Sequence, residues 1–396
     1  MTSERKDTPL AVMAKPVGSR CNMRCAYCYY LEKGKYSRNE KQTRMSFDLL
    51  ERLIRQTISA SSGPVVSFTW HGGEPTLAGM DFYKKALELE RKYLPRGWEV
   101  WNNLQTNGLL LNDAWCRFLR ENHFDVGLSI DGPAAIHDKN RRLIDGSATF
   151  ERVCASIRRL KDHGIEPDLL CTVNAVSEQQ PLEVYHALRD MQCGWVQFIP
   201  VVIRDPASGT DPRSTTPEGY GRFLITVFDE WVTHDLGILD VQLFAEMARI
   251  MAGGAASLCW MSPVCGHVLI AEEDGAVYSC DHFVDPDHRL GTLRESSLSR
   301  MADTEFQRSF GSGKRETLTR ECLLCPSLRF CNGGCPKDRF GMSSDGQLGQ
   351  YWLCSGLKTF FAHAEPVLAR VMEMSAKGNK PAEIMSALRE ETTSSV

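Results

Sequence analysis

Eleven of the 15 cysteines in this 396-residue chain fall into short-spaced groups, and grouped thiols are the side chains here best suited to chemistry. Cys21, Cys25 and Cys28 form a Cys-x3-Cys-x2-Cys run. Much later, Cys259 and Cys265 are followed by Gly275-x4-Cys280, then by Cys322-x2-Cys325-x5-Cys331-x3-Cys335, and last by Cys354. Three thiolates at short spacing can grip three corners of a four-iron cubane. A structural site would normally add a fourth ligand nearby, and none follows Cys28. The fourth iron is then open to an exchangeable ligand, as catalytic metal sites keep an open position. The alternative is a zinc ion completed by a distant residue. The eight later thiols suit two fully ligated four-iron clusters or, alternatively, two tetrahedral zinc sites. Cys116, Cys154, Cys171 and Cys193 stand alone and read as small buried hydrophobes.

Composition narrows the setting. A formal net charge of -4 gives no reason to expect a nucleic-acid partner. No apolar run approaches the roughly 20 residues that span a bilayer, so no membrane association is expected. The stretch Met1 to Pro9 is polar and charged and does not read as a secretory signal. The expected location is the cytoplasm, where disulfides are rare and clustered cysteines signal a cofactor.

The elements that must position these groups alternate from Leu10 to about Pro200. Expected strands are Ala11–Lys15, Val65–His71, Val100–Gln105, Val126–Ile130, Asp168–Val173 and Val196–Ile199. Helical patterns lie between them, at Phe47–Ser59, Asp81–Tyr93, Asp113–Asn122, Phe150–His163 and Leu182–Met191, with Ser46 as an N-cap for the first. Such alternation predicts an α/β fold with a parallel sheet, an open six-unit relative of the eight-unit barrel, although pattern alone also allows a closed one. A polar loop, Asp205–Pro217, precedes a helix over Glu218–His234. From Cys259 to Cys354 the runs are short and periodicity is weak, so this segment is expected to bury little apolar surface and to depend on metal. Helical patterns resume at Leu357–Met374 and Ala382–Glu390.

The first cysteine run, read as Cys-Asn-Met-Arg-Cys-Ala-Tyr-Cys-Tyr-Tyr, resembles the signature of the radical S-adenosylmethionine (SAM) superfamily. The resemblance implies a partial (β/α)6 TIM-like barrel and a cofactor bound through its amino and carboxylate groups at the open iron. His71-Gly72-Gly73-Glu74-Pro75 matches the family's GGEP element, whose backbone contacts the methionine moiety. Tyr27 matches an aromatic that stacks near adenine. Ser129 and Asp131 stand where the family makes ribose contacts. Arg141 would meet the cofactor carboxylate, and Ile199 would offer backbone to adenine.

The later cysteines resemble the SPASM extension of radical enzymes that modify peptides. That implies an interleaved pairing: Cys259, Cys265, Cys280 and Cys335 for a nearer auxiliary cluster, Cys322, Cys325, Cys331 and Cys354 for a farther one, and three [4Fe-4S] clusters in all. Asp281, directly after Cys280, matches the proposed catalytic base of the anaerobic sulfatase-maturating enzymes, and the resemblance runs from about Leu10 to Phe361. His71, His267 and His282 are other conceivable proton carriers. The implied domains are 1–236 (radical SAM barrel), 237–365 (SPASM) and 366–396 (helical tail). The implied reaction is oxidation of a peptidyl Cys or Ser in a sulfatase to formylglycine. The substrate would be an unfolded sulfatase polypeptide, and the electron donor a flavodoxin or ferredoxin. A SPASM maturase that crosslinks a ribosomal peptide is the alternative within enzymes. A non-catalytic electron carrier and a zinc-binding interaction protein are the alternatives outside them.

Overall fold

The computed structural model describes residues 11–36, 43–205, 207 and 209–394. The expectation for Met1 to Pro9, and positions 206 and 208 of the expected polar loop, lie outside them. Strands run β1 (Ala11–Ala14), β2 (Val65–Trp70), β3 (Glu99–Thr106), β4 (Phe124–Ser129), β5 (Asp168–Val173), β6 (Trp195–Pro200), β7 (Asp240–Val241), β8 (Val268–Ala271), β9 (Ala276–Tyr278) and β10 (Arg289–Thr292). The chain forms two compact units drawn from interleaved stretches. One takes Met1–Ser129, Asn140–Pro167 and Cys265–Gly313; the other takes Ile130–Lys139, Asp168–Val264 and Lys314–Val396. These units follow contacts, whereas the divisions expected near residues 236 and 365 follow chain order.

In the first unit β1, β2, β3 and β4 are neighbours in that order and all parallel. Helices α1 (Phe47–Ala60), α2 (Met80–Tyr93) and α3 (Asp113–Glu121) are the crossovers, and α4 (Phe150–Asp162) follows β4. α1 starts where expected: the Ser46 side chain accepts from Leu49 N at 3.3 Å and satisfies an otherwise orphaned donor. Its Leu49, Leu50, Leu53, Ile54 and Ile58 are buried, the stripe a sheet-covering helix requires. Parallel strands send all their C-terminal ends to one edge. That edge receives Lys15, His71, Asn107 and Ser129, each at or just past a strand end.

The cysteine-rich segment departs from expectation. β8 pairs in parallel with β1, and β9 and β10 follow antiparallel. Leu269, Ile270, Ala271, Ala276, Val277 and Tyr278 are all buried, so this stretch contributes to the apolar core. The reason lies in length: strands of three or four residues, buried on both faces, show no alternation to read.

In the second unit β5, β6 and β7 are parallel. They carry α5 (Pro181–Arg189), α6 (Pro217–His234), α7 (Gln242–Met251), α8 (Cys354–Ala376) and α9 (Pro381–Ser394). Phe228 of α6, Phe244 of α7 and Phe360 of α8 form an aromatic knot, with Phe228–Phe244 centroids 5.1 Å apart and Phe244–Phe360 centroids 5.7 Å apart. The knot fixes α8, whose first residue is Cys354. The lone Cys116, Cys171 and Cys193 are buried as expected, and Cys154 is half-buried. Among the described residues no helix is long and apolar enough to cross a membrane.

Candidate active site and thiol clusters

The loop after β1 carries Cys21, Cys25 and Cys28. It turns tightly, with Cys28 N donating to Cys25 O at 3.1 Å. The Gly72-Gly73-Glu74 stretch after β2 braces it: Gly73 N donates to Gly18 O and Glu74 N to Arg20 O, both at 2.8 Å. A Cβ on Gly73 would fall 1.9 Å from Arg20 O, so only glycine lets these two backbones approach so closely. The Glu74 carboxylate is fully buried and accepts from Thr76 N at 3.0 Å, Thr106 Oγ1 at 2.7 Å and Asn107 N at 2.8 Å. It is therefore committed to joining the ends of β2 and β3.

Cys21 Sγ accepts from Met23 N at 3.3 Å, and Asn107 Nδ2 stands 3.7 Å from it. Burial, with the charges of Glu74, Cys25 and Cys28 adding, pushes the Cys21 thiol up to about 12. Crowded buried thiols of this kind ionise only when a cation replaces their protons, which is what cluster iron does. The donor set thus fits three corners of an iron–sulfur cubane. The Arg141 guanidinium lies over the Tyr27 ring, 5.6 Å from its centroid, and both residues are buried. Ser129 Oγ accepts from Gln105 Nε2 at 3.2 Å. Asp131 and Ile199 belong to the second unit. There Asp131 is fully buried and accepts from Thr172 N at 2.9 Å, while Ile199 pairs with Thr172.

Asp281 follows Cys280, just past β9, and enters a short turn, Asp281–Phe283. Lys15, fully buried at the end of β1, places its Nζ 2.6 Å from Asp281 Oδ1. The same ammonium donates to His71 Nδ1 at 3.2 Å and lies 4.4 Å from the Tyr30 ring centroid. The Tyr29 hydroxyl donates to Asp281 Oδ2, and the Tyr30 hydroxyl to Glu272. Burial opposes ionisation of Asp281, but the charge of Lys15 outweighs it and holds the carboxyl well below the usual range. His71 is pushed down to about 3, by burial first and by Lys15 second. Its Nδ1 also accepts from Gly72 N at 2.7 Å, so the ring is a neutral acceptor there and keeps its proton on Nε2. Burial pushes Glu272 up to about 8.

Sequence reasoning named Asp281 and set His71 aside, but missed Lys15. The available signal was a lysine closing the apolar run Ala11-Val12-Met13-Ala14, which reads equally well as an exposed strand end.

The second unit holds a different arrangement. Cys322, Cys325, Cys331 and Cys354 line one cleft of about 370 Å³, together with Gln350 and Lys358. Thr319 caps the short helix that presents Cys322, accepting from Cys322 N at 3.2 Å. Asn332, Gly333 and Gly334 are successive left-handed residues (φ 43, 74 and 67°) that turn the chain sharply between Cys331 and Cys335. A Cβ on Gly334 would meet the Tyr351 ring at 2.4 Å. Gln350 Nε2 donates to Cys354 Sγ at 2.9 Å, and Cys322 Sγ lies 3.5 Å from Gln350 Oε1. Burial, with neighbouring thiols adding, pushes Cys331 up to about 11. Among the described residues no three Cys, His, Asp or Glu side chains converge on a single-ion site. These four thiols line one cleft together, and four thiolates are the donor set that holds a four-iron cubane. Of the other four thiols, Cys265 and Cys280 lie in the first unit, and Cys259 and Cys335 in the second.

Known proteins match along the same residues. The sequence model of the radical SAM superfamily matches residues 16–188. A serine-type anaerobic sulfatase-maturating enzyme of Bacteroides thetaiotaomicron is 41% identical over 96% of each chain. A cysteine-type anaerobic sulfatase-maturating enzyme of Clostridium perfringens is 32% identical over 92% of this chain and 98% of its own. A solved structure described as native anSMEcpe with bound AdoMet and Cp18Cys peptide superposes with a TM-score of 0.83 at 32% identity, covering 92% of this chain and 99% of that one.

Proposed function

The chain belongs to the anaerobic sulfatase-maturating enzymes, with the α/β radical SAM fold, and from that premise we propose how its own residues oxidise a sulfatase's peptidyl Cys or Ser to formylglycine. The observation that carries the reading is Asp281, ion-paired to buried Lys15 in the same compact unit as Cys21, Cys25 and Cys28.

Oxidation of a serine to formylglycine removes the β-hydrogen as an atom, the hydroxyl hydrogen as a proton, and one further electron. A thiol yields a thioaldehyde by the same balance, which water then hydrolyses. When bound, S-adenosylmethionine and the iron–sulfur clusters supply the hydrogen-abstracting radical and the sink for the remaining electron. Cys21, Cys25 and Cys28 would hold the first cluster. Gly73 lets the braced loop close, and Tyr27 and Arg141 would contact the cofactor beside it. Ser129, Asp131 and Ile199 keep the cofactor roles that the family resemblance implies for them. Asp281 receives the substrate proton. A carboxylate held ionised is a weak base, but loss of the β-hydrogen makes the neighbouring O–H or S–H far more acidic, so a weak base suffices. Lys15 and Tyr29 aim that carboxylate, with one oxygen each.

For the auxiliary clusters the reading keeps two ligand sets: Cys259, Cys265, Cys280 and Cys335, and Cys322, Cys325, Cys331 and Cys354. It keeps the sequence divisions 1–236, 237–365 and 366–396 as functional regions. An unfolded sulfatase segment as substrate, a flavodoxin or ferredoxin as donor and a cytoplasmic setting complete it.

The test is anaerobic incubation of reconstituted, reduced protein with S-adenosylmethionine and sulfatase-type peptides offering Ser or Cys, read by mass spectrometry. The expected result is 5′-deoxyadenosine together with an aldehyde-bearing peptide. Deoxyadenosine with no peptide oxidation would assign a different peptide substrate. No deoxyadenosine from iron-replete protein would contradict the radical reading.

A further inference from the structure

Lys314 is 1% exposed, a rare state for an ammonium group. Its Nζ donates to the carbonyls of Cys259 at 2.9 Å and Trp260 at 2.8 Å, and to that of Ser262. Three acceptors face the three N–H bonds of an ammonium, so the group is held as a cation inside the loop that begins with Cys259. A second cation extends this framework. Arg339 donates to Lys314 O at 2.6 Å, Gly333 O at 2.8 Å and Asn332 O at 2.9 Å, tying Lys314 to the turn between Cys331 and Cys335.

Neutral donors would satisfy those carbonyls as well, and a buried charge costs more to desolvate than an amide. The charge itself therefore calls for a reason. A thiolate-ligated four-iron cluster is an anion that becomes more negative on reduction, and net charge and burial are among the factors that set its potential. A fixed cation in a poorly screened interior favours the reduced form.

We propose that Lys314 is a positioning residue for electron transfer: its buried charge raises the reduction potential of the auxiliary cluster that Cys259 and Cys335 help to hold. That cluster becomes the better acceptor for the electron left on the substrate after the β-hydrogen is removed. The inference rests on the reading of Cys259 and Cys335 as cluster ligands.

The test is a redox titration followed by electron paramagnetic resonance, in full-length protein carrying Cys21→Ala, Cys25→Ala and Cys28→Ala so that only auxiliary signals remain. Iron content is measured alongside. Lys314→Gln keeps donors for the carbonyls and removes the charge; Lys314→Arg keeps the charge. The expected result is iron-replete Lys314→Gln with one auxiliary potential shifted to a more negative value, the other unmoved, and Lys314→Arg close to the parent. Unchanged potentials in iron-replete Lys314→Gln would overturn the proposal. So would an equal shift in Lys314→Arg, or loss of iron from both Lys314→Gln and Lys314→Met, either of which would make the role one of shape. A parent protein without auxiliary iron would overturn the ligand reading beneath it, a distinguishable result.

Discussion

Two thiol regions of this molecule face opposite requirements. After β1, three thiols sit on a loop whose neighbours are titratable: Lys15 bridges Asp281 and His71, and Tyr30 meets Glu272. In the second unit, four thiols line a cleft with Gln350, which is neutral and turned to Cys354 and Cys322, and with Lys358, which is ion-paired to Glu321. Three ligands leave an iron with a vacant position, and the groups beside it can move protons. Four ligands leave none, and an amide that hydrogen-bonds sulfur neither gives nor takes a proton at neutral pH. In the proposed reading, this difference separates a place where bonds are broken from a place where electrons are stored.

The largest expected effect comes from removing the base. Asp281→Asn is expected to lower peptide aldehyde formation by about 10²- to 10⁴-fold, while deoxyadenosine still forms. Equal loss of both products by mass spectrometry would make Asp281 a structural residue. Removing a ligand of the other region should act differently. Cys354→Ala is expected to lose up to about four iron atoms and to lower peptide oxidation by roughly 10- to 100-fold, with deoxyadenosine formation retained. If deoxyadenosine fell in step, the two regions would not divide the work as argued.

Gly73→Ala probes the brace. With Arg20 O only 1.9 Å from the added Cβ, it should destabilise the protein by about 1–3 kcal/mol in denaturant unfolding and raise the KM for S-adenosylmethionine. Wild-type stability with a normal KM would mean that the cysteine loop does not depend on that contact.

The smallest effect is one of pH. Glu272 is held at about 8, above the ordinary 4.5 of a glutamate, so between those values the folded state binds more protons than the unfolded state. Stability therefore falls as pH rises from about 4.5 to 8 and levels off above. Glu272→Gln should remove this slope, giving a melting-temperature difference from wild type that grows over that range. A constant difference would place Glu272 in an ordinary environment.

Much of this was legible in the sequence where periodicity or spacing was strong. β5 spans Asp168–Val173 as expected, and Ser46 caps α1. The thiol spacing separated an open set of three from a later field of eight, and the structure gathers Cys322, Cys325, Cys331 and Cys354 around one cleft. What escaped were features that depend on distant chain segments. β8, β9 and β10 are too short to show a period. The lysine after β1 gains its meaning only from Asp281, more than 260 residues later. The commitment of the Glu74 side chain to Thr106 and Asn107 likewise appears only once β2 and β3 are side by side.

The most direct test of the central claim, that the two thiol regions differ in kind, is an iron count with electron paramagnetic resonance before and after adding S-adenosylmethionine. It compares wild type with Cys21→Ala/Cys25→Ala/Cys28→Ala. The account predicts about twelve iron atoms per wild-type chain and about eight in the variant, four per cluster. It also predicts a spectrum that changes on adding the cofactor only in wild type. A variant that still responds to S-adenosylmethionine, or that retains the full iron complement, would contradict it.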